Sequence, residues 1–167
     1  RCQQRPQQSE CADLFPLSVE PFERFMLLAD QGPHPMQFVC RLRFEGTFER
    51  ATLTAATAQA VSRHPMLMAS VCDRPPGGEW IRRPEQQPTV DWIDAAPCEE
   101  YPRLPLLDVH QGPNVHLTVV TDGQRSDLIF LFHHAAVDGL GAFDVIADVL
   151  IAYSNATSLQ GPTRFKV

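Results

Sequence analysis

The stretch that decides the fold of this chain is residues 130–144, FLFHHAAVDGLGAFD. An apolar run ends in two adjacent histidines, His133 and His134, and Asp138 and Gly139 follow shortly after them. Imidazoles at the end of a buried strand cost free energy unless a hydrogen bond or a reaction uses them. The stretch therefore predicts a strand that leads into a functional site, with an amphipathic helix after it.

Side-chain alternation along a strand places the two histidines on opposite faces. His134 has the parity of Phe130 and Phe132, and His133 has the other parity. One imidazole is therefore expected to face a substrate, while the other is held structurally. Parity alone does not say which histidine takes which role.

The remaining segments predict a mixed α/β protein in which strands and helices interleave. Strands are predicted at residues 36–45, 67–73, 80–82, 89–93, 115–121 and 128–134. Helices are predicted within 16–28, with Ser18 as N-cap, and at 48–63 and 141–153, and residues 94–114 are predicted to be irregular.

Composition bounds the partners and the compartment. The chain has 167 residues, a net charge of −6 and no Lys/Arg block, so nucleic acid is not an expected partner. No apolar run approaches the ~20 residues of a membrane span, so no transmembrane segment is predicted. The 5 cysteines are odd in number and lack Cys-x-x-Cys spacing, which favours reduced thiols, a cytoplasmic setting and no metal.

The spacing His-His-x-x-x-Asp-Gly at residues 133–139 resembles the motif of the chloramphenicol acetyltransferase-like acyltransferases, which include the condensation domains of nonribosomal peptide synthetases. The resemblance implies an α/β fold, a mixed-sheet two-layer sandwich that forms the first of two lobes. It also implies that the second histidine, His134, is the general base, and that His133 is mainly structural. The base removes a proton from a hydroxyl or amine as that group attacks an acyl thioester.

The rest of the motif has implied roles as well. Asp138 matches an aspartate held in an ion pair with an arginine, for which Arg41 and Arg63 are the candidates here. Gly139 matches a glycine that lets the loop turn closely against the site. The implied donor is coenzyme A or a phosphopantetheine arm on a carrier protein, used as a substrate, with no cofactor bound permanently.

A second element supports the resemblance. Residues 61–68, VSRHPMLM, resemble the condensation-domain motif Arg-His-Glu-x-Leu-Arg-Thr, and Arg63, His64 and Leu67 match it. The Glu, the second Arg and the Thr are replaced, which favours a free-standing acyltransferase over a peptide-bond-forming domain.

The resemblance divides the chain into a flexible tail at 1–13, an N-terminal lobe at 14–155 and a linker at 156–167 towards a second lobe. The second-lobe motif Asp-Phe-Gly-Trp-Gly is absent, so we expect an incomplete site and an apolar surface that the other lobe covers. The partners that the resemblance implies are this second lobe, in the same or a separate chain, the thioester donor and an alcohol or amine acceptor. A carrier protein is a further partner if it carries the donor.

Three other interpretations compete with the one that the resemblance implies. Two satisfied core histidines would explain the pair without a reaction. A metal site is disfavoured because adjacent strand histidines diverge and no third clustered ligand is visible. The alternative function is a non-catalytic lobe that serves as a carrier-protein docking or scaffolding module.

Overall fold

A computed structural model of the chain describes residues 14–30, 34–73 and 77–158. The predicted tail at 1–13 and residues 159–167 of the predicted linker lie outside the described residues. The described part is a mixed α/β structure with two sheets and three helices, which confirms the predicted fold class.

The elements follow the predicted order, with one short strand added. The strands are β1 (Leu17–Ser18), β2 (Gln37–Glu45), β3 (Ala69–Cys72), β4 (Glu79–Arg82), β5 (Thr89–Asp94), β6 (Val115–Thr121) and β7 (Arg125–His133). The helices are α1 (Pro21–Ala29), α2 (Arg50–Val61) and α3 (Gly139–Ser158), and a 3₁₀ turn (Pro65–Met68) precedes β3.

The larger sheet carries the histidines. Its strand order is β2-β7-β6-β5, with β5 parallel to β6 and the other pairs antiparallel. Side chains of one sheet face pack with α2 and α3 into the main core, which includes Leu53, Phe130, Phe132 and Val149, all 0% exposed. This sandwich fixes where β7 ends, and therefore where the histidines lie.

The smaller sheet, β1-β4-β3, corrects the prediction for the N-terminal segment. Ser18 is not the N-cap of α1, because it lies in β1 and pairs with Glu79. The helix begins instead after Glu20, whose carboxylate and that of Glu23 form a reciprocal capping box, with Pro21 in the first turn.

The irregular segment 95–113 covers the sheet face that lies opposite the helices, as the burial of Ile129 and Leu131 on that face shows. Arg43 joins the segment to the sheet. Its Nη2 donates to the Cys98 carbonyl, and its Nε lies 2.7 Å from the buried Asp127 carboxylate. The hydrogen bond to Asp127 raises the pKa of Arg43 above its usual value, so the guanidinium stays charged.

Helix α3 extends further than predicted, through Ser158, so residues 156–158 of the predicted linker are helical. By length and composition it is the one helix among the described residues that could cross a membrane. Its buried face packs in the core, and its Asp148 carboxylate pairs with Arg63 and His64. One face of the helix therefore belongs to the core of the described residues.

Candidate functional site

The two histidines lie where β7 leaves the sheet. Gln37 of β2 pairs with His133, the last residue of β7, and the His133 N–H donates to the Asn114 carbonyl. His134 is the first residue beyond the strand, and its N–H donates to the Met36 carbonyl at 2.8 Å. The backbone at both histidines is thus fixed by neighbouring chain on either side of β7.

His133 is completely buried and both of its ring nitrogens have partners. Its exposed fraction is 0%, and its Nε2 lies 3.0 Å from Oδ2 of Asp30. Its Nδ1 accepts the Ala135 N–H at 3.2 Å, so the ring hydrogen belongs on Nε2, which donates to the carboxylate. A ring held in this way has no nitrogen left for a substrate.

His134 has a different environment. It is half-buried, and its ring lies against Phe38 with centroids 4.9 Å apart and planes tilted by 57°. Phe38 in turn stacks on Phe132, so His134 lies on the helix-facing side of the sheet, as its parity predicts. Its Nδ1 is buried and has no hydrogen-bond partner among the described residues.

Asp138 caps the helix that follows the histidines. Its Oδ1 accepts the Gly141 N–H at 2.8 Å, and its carbonyl accepts the Ala142 N–H at 2.9 Å. The candidate arginine partners are engaged elsewhere. Arg63 lies 3.3 Å from Asp148, and Arg41 lies 3.4 Å from Glu99. The predicted pairing of Asp138 with Arg41 or Arg63 is therefore wrong in this structure, because other carboxylates lie within reach of both guanidinium groups.

The two glycines after Asp138, Gly139 and Gly141, differ in how much space surrounds them. Gly139 does not have a positive φ, and a Cβ built on it meets nothing within 4 Å. The described residues therefore give no steric reason for a glycine there, in contrast to the predicted close turn. At Gly141 a Cβ would lie 2.7 Å from Cγ2 of Val137 and 3.3 Å from Oδ1 of Asp138.

The second matched motif joins the two helices. His64 Nε2 lies 3.0 Å from Oδ2 of Asp148, and Arg63 reaches the other oxygen of the same carboxylate. Leu67 follows in the 3₁₀ turn and is 1% exposed in the core. In this structure Arg63 and His64 hold the end of α2 against α3, and neither side chain contacts the histidine pair.

Sequence reasoning missed Asp30 and Met36, which contact the histidines directly. Asp30 Oδ1 accepts the Met36 N–H at 2.7 Å while its Oδ2 faces His133. Asp30 is separated from His133 by 103 positions, and in sequence it reads only as the residue after a helix. Among the described residues no group of three or more His, Cys, Asp or Glu is arranged to hold a metal ion.

Neither a protein-family model nor a curated protein sequence matches the chain. Solved structures do match. The starter condensation domain of rhizomide synthetase RzmA superposes with a TM-score of 0.71 at 18% identity, over 89% of this chain and 40% of that chain. SgcC5 from Streptomyces globisporus, in complex with (R)-(-)-1-(2-naphthyl)-1,2-ethanediol and sucrose, gives 0.68 at 21% identity, over 89% and 38%.

A form of the RzmA domain in complex with C8-CoA and Leu-SNAC gives a TM-score of 0.68 at 17% identity, over 95% of this chain and 39% of that chain. At such identities the likeness defines the fold alone. The described residues therefore have the fold of part of a condensation domain. The chain spans about two fifths of the length of these structures, as one lobe of a larger unit does.

Proposed function

We propose that this chain is the N-terminal lobe of an acyltransferase that moves an acyl group from a coenzyme A or carrier-protein thioester to a hydroxyl or amine, with His134 as general base. The observation that carries the proposal is the division between the two histidines. His133 has both ring nitrogens engaged in the interior, whereas no described residue engages the ring nitrogens of His134. The neighbours support the substrate class, since RzmA forms are complexed with C8-CoA and with Leu-SNAC.

The chemistry needs one base and no protein nucleophile. The acceptor oxygen or nitrogen attacks the thioester carbonyl carbon and gives up its proton to His134. Nε2 is the nitrogen that receives the proton, because Nδ1 is buried. The new C–O or C–N bond forms, the C–S bond breaks, and the protonated imidazole returns the proton to the departing thiolate. Atoms and charges balance without a metal or a permanently bound cofactor.

The second lobe completes the site in this proposal. Large apolar side chains are exposed on two helices. Helix α1 is followed directly by Asp30, which contacts His133, and helix α3 begins shortly after His134 in the sequence. The exposed side chains are Phe22, Phe25 and Leu28 of α1, exposed by 61–67%, and Leu140 and Phe143 of α3, exposed by 78% and 64%. Surfaces of this kind mark interaction sites. A lobe seated there would supply the other wall that positions both substrates, and so the chain alone is expected to turn over weakly or not at all.

The motif residues have definite roles in the proposal. His133 holds the end of β7, and Asp138 fixes the start of α3 by capping it. Since no described residue crowds Gly139, a requirement for glycine there would come from the bound substrate or the second lobe.

The test uses the complete two-lobed protein, acetyl- and longer acyl-coenzyme A donors, and a panel of alcohols and amines. Thiol release that depends on an acceptor, together with an acylated acceptor identified by mass spectrometry, is the expected result. If no coenzyme A thioester reacts, acyl-loaded carrier protein is the next donor. Failure of both donor types would contradict acyl transfer and favour the non-catalytic docking module instead.

A further inference from the structure

We propose that Asp30 is a positioning residue that fixes the ring of His133 and the backbone of His134, and so places the base of the acyl-transfer site. The proposal rests on the proposed function for the role of His134. The contacts that carry it belong to Asp30 itself, which lies outside both quoted motifs. Asp30 is the residue directly after α1, and its N–H donates to the Met26 carbonyl at 2.9 Å, so the end of the helix fixes its backbone.

One oxygen of the carboxylate determines the state of the buried histidine. Oδ2 of Asp30 lies 3.0 Å from Nε2 of His133. Because Nδ1 of the same ring accepts the Ala135 N–H, Nε2 carries the hydrogen and donates it to the carboxylate. The ring therefore spans from α1 to the first residues beyond β7 and fixes the turn in which His134 lies.

The other oxygen acts on His134 through the backbone. Oδ1 of Asp30 accepts the Met36 N–H at 2.7 Å, and the Met36 carbonyl accepts the His134 N–H at 2.8 Å. Two separate routes thus run from one carboxylate to the adjacent histidines. Geometry at a reacting centre is sensitive to such supports, since small displacements of a catalytic group cost rate.

A carboxylate is needed because both of its partners are donors. An asparagine offers only one acceptor oxygen, so its NH₂ group would face either the Met36 N–H or the His133 Nε2–H. The His133 ring could escape that clash by moving its hydrogen to Nδ1. It would then direct a second donor at the Ala135 N–H, so no tautomer satisfies an amide at position 30.

The test compares Asp30→Asn with Asp122→Asn in the complete protein. Asp122 is a matched control, since its carboxylate also accepts two N–H groups, those of Gln124 and Arg125, but at the turn where β7 begins. Two readouts are taken: kcat and KM for acyl-coenzyme A with an accepting amine or alcohol, and ¹⁵N spectra of the histidine rings, which report the nitrogen that carries the hydrogen.

We expect Asp30→Asn to lower kcat by about 10- to 100-fold, by analogy with the loss of a partner that orients a metal-binding histidine. The donor KM should stay within about threefold, because binding groups are untouched. The ring signals of His133 should shift in this variant, while Asp122→Asn leaves both readouts unchanged.

Three results would overturn the proposal. The first is a folded Asp30→Asn protein with unchanged kcat and unchanged ring signals. The second is an Asp30→Asn protein whose loss of rate equals its loss of folded protein. The third needs no variant: a wild-type spectrum in which His133 carries its hydrogen on Nδ1. If the wild type shows no acyl transfer, the proposed function fails, and the ring spectra of Asp30→Asn alone decide the positioning role.

Discussion

Oδ1 of Asp138 accepts the Gly141 N–H at 2.8 Å, so the carboxylate of the motif serves as the N-cap of α3. The resemblance implied a different bond, an ion pair with an arginine. Capping depends on an acceptor oxygen, whereas an ion pair depends on charge. The two roles can therefore be separated by substitutions that remove one property at a time.

Asp138→Ala is expected to lower the free energy of unfolding by about 0.5–2 kcal/mol, the usual cost of losing a cap. Asp138→Asn keeps an acceptor of similar capping strength and should cost far less. Equilibrium urea unfolding of both variants measures the difference. Equal losses in the two variants would show that the charge, and not the cap, stabilises this turn.

Gly139 and Gly141 form a second matched pair. Gly141→Ala should destabilise the protein by about 1–3 kcal/mol through overpacking, because the new Cβ meets the stiff Val137 side chain. The higher helix propensity of alanine offsets up to ~1 kcal/mol of this loss. Gly139→Ala should stay within about 0.5 kcal/mol of wild type. Thermal unfolding measures both. A Gly139→Ala protein that is stable but inactive would locate the need for glycine outside this lobe.

The Arg43–Asp127 pair joins a buried carboxylate to a partly exposed guanidinium, with two contacts of 2.7 and 2.9 Å. Arg43→Met should destabilise the protein markedly, because it leaves the Asp127 charge buried without its partner. Replacing both residues, in Arg43→Met with Asp127→Leu, should recover much of the loss. Urea midpoints compare the two proteins, and a double variant no more stable than the single one would refute the buried-charge explanation.

His116 makes stability depend on pH. Burial in β6 lowers the pKa of His116, and the nearby Asp91 carboxylate offsets part of that shift. The unfolded chain then binds the proton more readily, so stability falls as pH drops from about 6.5 towards the lower folded-state pKa. His116→Gln should flatten the loss of stability between about pH 7 and 5, measured by urea unfolding at each pH, relative to His110→Gln. Equal slopes for both variants would contradict this.

The parts of the fold that local patterns control could be predicted from the sequence. The alternation in β2 and β7 and the turn between β6 and β7 gave strands close to the observed bounds, and the parity of His134 gave its face. The motif resemblance pointed to the adjacent histidines as the candidate site, and their role stays a prediction. These features depend on residues near one another in the chain.

The supports of the site could not be predicted, because their partners are distant in sequence. Nothing local distinguishes Asp30 from any aspartate after a helix, yet it contacts His133 across 103 positions. The arginine assignment failed for the same reason. Charge alone does not indicate that Arg63 pairs with Asp148, which lies within α3, and not with Asp138, which precedes that helix. Ser18 has suitable capping chemistry, but the reciprocal pair Glu20 and Glu23 caps α1 instead.

The most direct test of the account is acceptor-dependent thiol release from acyl-coenzyme A by the complete protein, with His134→Ala measured beside His110→Ala. Loss of a general base lowers the rate by about 10²–10⁴-fold, and that fall is predicted for His134→Ala alone, with folding retained. Rates that match wild type in a folded His134→Ala protein would contradict the assignment of His134 as the base.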